Sequence, residues 1–283
     1  MVNDETSLET FDIMQASVRS WGRLLIGSGG SYKPDKSFCH LISFRWDRKG
    51  KWSYDDNHKK PEFEMLVPMP DGTEVVIDHL PVTKARETLG VWTSPDGHAV
   101  EALEQMKKKS QEWVDQAKEG KIRHRDVWFL QDIQFWPRVG YGICCNTATH
   151  DKLENVLRKQ YYQMLPLGGV VRSAPAAIRQ MHRGFYDVGC PHPGITCLTS
   201  QVCKLLMHYG CTSSVRFKMG VSFRELVLEL GLTLQPFHES FHTYKKWVTW
   251  GWMASLWEKC SIYEVRIDIL DTELSFPRNE TIG

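Results

Sequence analysis

Residues 21–52 read WGRLLIGSGGSYKPDKSFCHLISFRWDRKGKW, and this stretch decides the fold class because its period changes from helical to alternating within one turn. Upstream of it, Phe11, Met14, Val18, Trp21 and Leu25 recur at helical spacing. Thr6-Ser7-Leu8-Glu9 reads as a capping box at the start, and Gly27 offers a left-handed stop. Gly29-Gly30 and Lys33-Pro34-Asp35-Lys36 then form a turn. Beyond it Phe38, His40, Ile42, Phe44 and Trp46 alternate with smaller or polar residues, the pattern of a half-buried strand. Residues 47–50 close a hairpin onto Lys51-Trp52-Ser53-Tyr54.

Working outward, residues 55–70 are charged and carry prolines, which predicts a surface loop, and Glu74-Val75-Val76-Ile77 predicts a further short strand. Leu89-Gly90-Val91-Trp92 is short and apolar, with the strong turn Ser94-Pro95-Asp96-Gly97 behind it, so a strand leaving a sheet is expected there. From Val100 the period becomes helical: Val100, Leu103, Met106, Trp113, Val114 and Ala117 share a face up to Gly120. Val127, Leu130, Ile133 and Trp136 predict a second helix ending or kinking at Pro137. Leu153, Val156, Leu157 and Met164 predict a third, capped near Thr149 and broken at Pro166-Leu167-Gly168-Gly169. Further helices are expected over 174–182, 196–208, 222–230 and 244–259. The fold class is therefore α+β, with a small sheet in residues 1–98 and a mainly helical region in 99–283.

The 283 residues suffice for one large domain or two modest ones, and 42% hydrophobic content with eleven tryptophans indicates packed cores. A formal net charge of +1 supplies no global field toward nucleic acid, so such a partner must meet a local basic surface. Met1-Val2-Asn3-Asp4-Glu5 lacks an apolar run behind it, and no stretch approaches membrane-spanning length; an intracellular protein without a membrane partner is expected. The eight cysteines form no Cys-x-x-Cys pair, and Cys144-Cys145 are adjacent, which favours reduced, buried thiols over a disulfide scaffold or zinc ribbon.

The series of helix, Gly-Gly-x-x-Lys-Pro-x-Lys turn, strand ending Phe44-Arg45-Trp46 and Gly-Lys-Trp hairpin resembles the reverse transcriptases of eukaryotic retroelements. In that family a helix, a lysine-bearing turn and a strand follow the catalytic hairpin of the palm, and Lys36 occupies the lysine's place. Glu87-Thr88-Leu89-Gly90-Val91-Trp92 is similar to the primer-grip region, where palm gives way to thumb. His124-Arg125-Asp126-Val127-Trp128, Phe135-Trp136-Pro137 and Tyr141-Gly142 resemble the helical region beyond it, as do His192-Pro193-Gly194 and residues 201–208 more loosely. The likeness spans residues 11–210 by motif order, and only that order is specific. It implies a partial palm in 1–98 through the primer grip, a thumb and connection region in 99–283, and an RNA/DNA primer-template as partner. It also implies Lys36 near an incoming nucleotide and Leu89, Gly90 and Trp92 near a primer terminus.

Polymerase chemistry needs two divalent ions held by carboxylates roughly 3.5–4 Å apart. In the family these carboxylates lie upstream of the helix at Phe11, which only ten residues precede here. The resemblance thus implies RNA-directed DNA polymerase ancestry without activity in this chain alone, no catalytic residue and no cofactor, where an intact relative would use magnesium. Tyr54-Asp55-Asp56 imitates the catalytic Tyr-x-Asp-Asp hairpin but follows the lysine turn instead of preceding it, so a solvated turn is expected; Met1-Val2-Asn3-Asp4 is an equally weak match. Lys107, Lys108, Lys109, Lys118, Lys121, Arg123 and Arg125 place positive charge where a primer-template backbone would pass. Glu101, Glu104, Glu112, Asp115 and Glu119 interleave with them, so a solvated helix face explains the run equally well. Trp247, Trp250 and Trp257, with Trp252 nearby, fit a single buried helical face better than base stacking. Cys190, His192, Cys197, Cys203, His208 and Cys211 supply zinc-ligand types at spacings that match no zinc signature, so no metal site is expected from them. The alternative to a reverse-transcriptase fragment is a non-enzymatic module whose tryptophan-rich helical half meets an unidentified protein.

Overall fold

The computed structural model describes residues 4–50, 52–55, 61–180, 189–231 and 235–269. The chain forms two compact units, residues 1–85 with 94–96, and residues 86–93 with 97–283. The expected change at residue 98 is therefore displaced, because 86–93 join the helical unit. Mixed α and β structure is present, as the change of period predicts.

The first unit opens with helix α1 (Asp4–Gly27). Thr6 lies inside the helix, so the capping box does not mark its start. Its short strands are β1 (Phe38–Cys39), β2 (Phe44–Trp46), β3 (Trp52–Tyr54), β4 (Leu66–Pro68), β5 (Glu74–Val76) and β6 (Asp78–His79). β1 runs parallel to β6; β2 with β3, and β4 with β5, form antiparallel hairpins. Phe11 on α1 meets the Phe63 ring edge-to-face at 5.4 Å, and Leu41, Met65, Val67 and Ile77 complete the core. Gln15 pairs with the free edge of β4: its amide nitrogen donates to the Leu66 carbonyl at 2.7 Å while its oxygen accepts from the Leu66 N–H at 2.8 Å. A side chain so placed finishes the hydrogen bonding of an edge strand.

Two expectations fail here for a shared reason. Residues 61–70 hold Phe63, Met65 and Val67, all buried, so they are core and not a surface loop, although Pro61 and Glu62 disguise them. The strand expected over 38–46 breaks in two, with Leu41 buried and Ile42 exposed. In both places the burial of a few apolar side chains against α1 outweighs the local pattern.

Nor does a single palm-like sheet form among the described residues: every ladder has two strands. In the second unit β7 (Arg86–Thr88) pairs with β8 (Val91–Thr93), and Leu89 and Gly90 are the turn between them, at φ 51° and 82°. Positive φ at both central residues suits the right-handed twist of a two-residue hairpin, and glycine adopts it without strain. The expected strand at Leu89-Gly90 is thus a turn, and Lys36 belongs to no ladder but to a short 3₁₀ turn in the other unit.

The helices of this unit are α2 (Val100–Glu119), α3 (His124–Leu130), α4 (Trp136–Gly140), α5 (His150–Leu167), α6 (Ala176–Gln180), α7 (Pro193–Tyr209), α8 (Ser214–Leu230), α9 (Phe241–Tyr244) and α10 (Trp252–Ile262). α2 and α5 pack through Leu103, Met106, Trp113, Val114, Leu153 and Leu157, the face read from the spacing. Between α3 and α4 a π-helical turn over Gln131–Phe135 leads into Pro137, and the chain stays helical through Gly140, so the helix does not end at the proline. Thr149 stands at the N-cap of α5, and Gly168 follows its last residue. A second core gathers Leu198, Leu205, Leu226, Phe237, Phe241, Leu256 and Trp257 around α10. The expected single tryptophan face does not exist: Trp257 is buried in α10, Trp247 is 54% exposed in a separate 3₁₀ turn, and residues 248–251 are not helical. None of the described helices is long and apolar enough to cross a membrane.

Candidate nucleic-acid surfaces and a histidine cluster

Hairpin β2–β3 carries a solvent-facing aromatic ladder. Its register sets Phe44 opposite Tyr54 and Trp46 opposite Trp52, so the four rings share one face. Phe44, Trp46 and Trp52 are 46%, 55% and 47% exposed. Ring centroids lie 5.3–6.0 Å apart along the ladder, which shields each ring partly with its neighbours. Asp47, Arg48, Lys49 and Gly50 make the turn, with the Lys49 N–H donating to the Asp47 carboxylate at 2.8 Å. On the opposite face Arg45 pairs with Asp55 at 2.8 Å. Asp55 is therefore engaged by a guanidinium; Asp56 of the Tyr54-Asp55-Asp56 match and Met1 to Asn3 lie outside the described residues.

The residues singled out by family resemblance are scattered. Lys36 is exposed in the first unit. In the second, Gly90, Trp92 and Lys109 line one shallow groove together with Met106, Arg138 and Asn146. Leu89, 87% exposed, projects from the tip of the hairpin beside it. Two of the cations here are matched by carboxylates, Lys109 by Glu87 at 3.8 Å and Arg138 by Glu112 at 3.3 Å, while Lys118 donates to the neutral Gln163 amide at 2.7 Å. Lys107 and Lys108 are exposed on α2, Lys121 and Arg123 on the connection to α3, and Arg125, exposed on α3, lies 3.5 Å from Asp126.

The six zinc-ligand types do not converge as a set. Cys190 and Cys197 are buried while Cys203 and Cys211 are exposed, and no disulfide joins any of the eight cysteines. Burial pushes the Cys197 thiol up to about 11, which keeps it protonated. His192 instead meets two residues that the spacing argument overlooked, His150 and Glu154. These stand four apart on α5, a signal present in the sequence for any helix over 150–167. The aromatic ladder also had a legible signal, four rings at alternating positions around a basic turn.

Comparison with known proteins gives no matching family model, no matching curated protein and no matching solved structure.

Proposed function

We propose that the chain is a nucleic-acid-binding remnant of a retroelement reverse transcriptase, inactive as a polymerase by itself. The kinship rests on motif order, since the palm sheet that the resemblance implies does not form among the described residues. The binding rests on the aromatic ladder of β2–β3 beside Arg48 and Lys49, because exposed rings flanked by cations offer stacking surfaces for unpaired bases and charge for the backbone. An RNA or DNA single strand, or the single-stranded template of a primer-template, is the partner of matching chemistry.

A second reading, a protein-interaction module, is favoured by one observation: Lys109 and Arg138 near the primer-grip hairpin face carboxylates of the same unit. Fluorescence anisotropy with an oligonucleotide and with a primer-template, titrated across salt, separates the two. Binding that weakens with salt and quenches tryptophan emission supports the first reading. No binding at low salt removes it and leaves the second.

A further inference from the structure

His150 lies in the first turn of α5, Glu154 one turn later on the same face, and His192 at the N-cap of α7. Glu154 Oε1 is 3.3 Å from His150 Nε2 and 2.6 Å from His192 Nε2, and the three ligand atoms fall within 4.8 Å of one another. A tetrahedral cation with ligand bonds of about 2.0–2.1 Å sets neighbouring ligand atoms about 3.3–3.4 Å apart. The Glu154–His150 separation matches this value, the Glu154–His192 separation is shorter by about 0.7 Å, and the two histidine nitrogens lie within 4.8 Å, so metal binding requires small side-chain shifts.

The surroundings are those of a held site. The histidine side chains are 14% and 17% exposed. Tyr263 Oη, at the end of α10, stands 2.8 Å from His150 Nε2 and 3.1 Å from His192 Nδ1. The Tyr263 hydroxyl has one proton and cannot donate to both imidazoles. Its approach requires the bare Cα of Gly194: a Cβ there would collide with the phenol oxygen and come within 2.8 Å of the His150 ring. Beside Glu154 and His192 a cleft of about 460 Å³ opens, with Arg158 and Arg179 on its wall.

We propose that His150, Glu154 and His192 form a zinc site with three protein ligands and an open fourth position facing the cleft. The donor set, two imidazoles and one carboxylate, suits a borderline cation such as Zn²⁺ better than the oxygen-preferring Mg²⁺ of polymerases. In the structure His192 Nδ1 accepts from the Ile195 N–H at 3.4 Å. On binding, His192 coordinates through Nε2 and its proton moves to Nδ1, which gives up the Ile195 N–H and donates to Tyr263 Oη. Tyr263 releases His150 Nε2 to the metal and acts as an orienting partner. The fourth position takes water or an anionic oxygen ligand steered by Arg158 and Arg179. The proposal is independent of the nucleic-acid reading.

Cobalt titration of the metal-stripped full-length chain tests it. The expected result is stoichiometric binding with the visible bands of a low-coordinate Co²⁺, displacement by Zn²⁺, and an increase in melting temperature with zinc. Glu154→Gln and His192→Gln, confirmed as folded by circular dichroism, are each expected to weaken binding by about tenfold or more. Glu154→Gln keeps the shape of the side chain, so its loss is not a folding defect. No stoichiometric binding by the wild type, unchanged binding by either variant, or a sulfur-to-cobalt band reporting cysteine ligation overturns the assignment.

Discussion

Lys259 is wholly buried in α10, its ammonium donating to the Ala148 carbonyl and Ser255 carbonyl at 3.1 Å each and to the Ser255 hydroxyl at 2.6 Å. Desolvation lowers its pKa from the ordinary 10.5, although Cys197, Glu258 and Cys260 pull the other way. Between the depressed value and 10.5 the unfolded chain binds more protons than the folded one, so this group's contribution to stability rises with pH across that window. Urea unfolding of wild type and Lys259→Met, compared from pH 7 to 10, should show the wild type gaining on the variant as pH rises; parallel curves would contradict it. The comparison is differential because Cys197 and Cys260, pushed up to about 11 and about 12 from 9.0, lose stability as pH climbs above 9.0. Gln15 offers a second test. Gln15→Ala leaves both backbone groups of Leu66 without their partner, and the expected cost is about 2–4 kcal/mol by chemical denaturation. A loss under about 0.5 kcal/mol would show that water replaces the amide freely.

At the scale of elements, the β2–β3 hairpin carries its four rings on one solvent-facing side, in contact with one another and outside the core of the first unit. Trp46→Ala and Trp52→Ala should each weaken oligonucleotide binding by roughly 5- to 150-fold, the range of one stacked base, with unfolding midpoints nearly unchanged because both rings face solvent. A large drop in stability with unaltered binding would assign the rings to structure. The elements also show where local reading succeeds. α2 was legible from Val100 to Gly120 because a long amphipathic face and a terminal glycine agree. The turn at residues 47–50 was legible from its chemistry, but the register was not: Trp46 stands opposite Trp52, one residue beyond the Lys51 at which the expected strand begins. The core strand β4 was not, since Pro61, Glu62 and Glu64 speak for a loop while Phe63, Met65 and Val67 are claimed by α1, a partner far away in the chain.

At the scale of the whole molecule, the balance of 35 basic against 34 acidic residues predicts weak electrostatics for any nucleic-acid complex. With Arg48 and Lys49 as the local cations of the ladder, the slope of log affinity against log salt should be about −1 to −2. A slope beyond about −4 would move the contact to Lys107, Lys108 and the neighbouring cations of α2. The sequence by itself determined the mixed fold class, the helical character beyond Val100, and the aromatic and basic content of the hairpin, because period, caps and turns act over a few residues. Tertiary structure alone decided that Phe63, Met65 and Val67 are core and that His192 meets His150 and Glu154. Those outcomes depend on which apolar faces bury one another across the chain, a competition that no local pattern records.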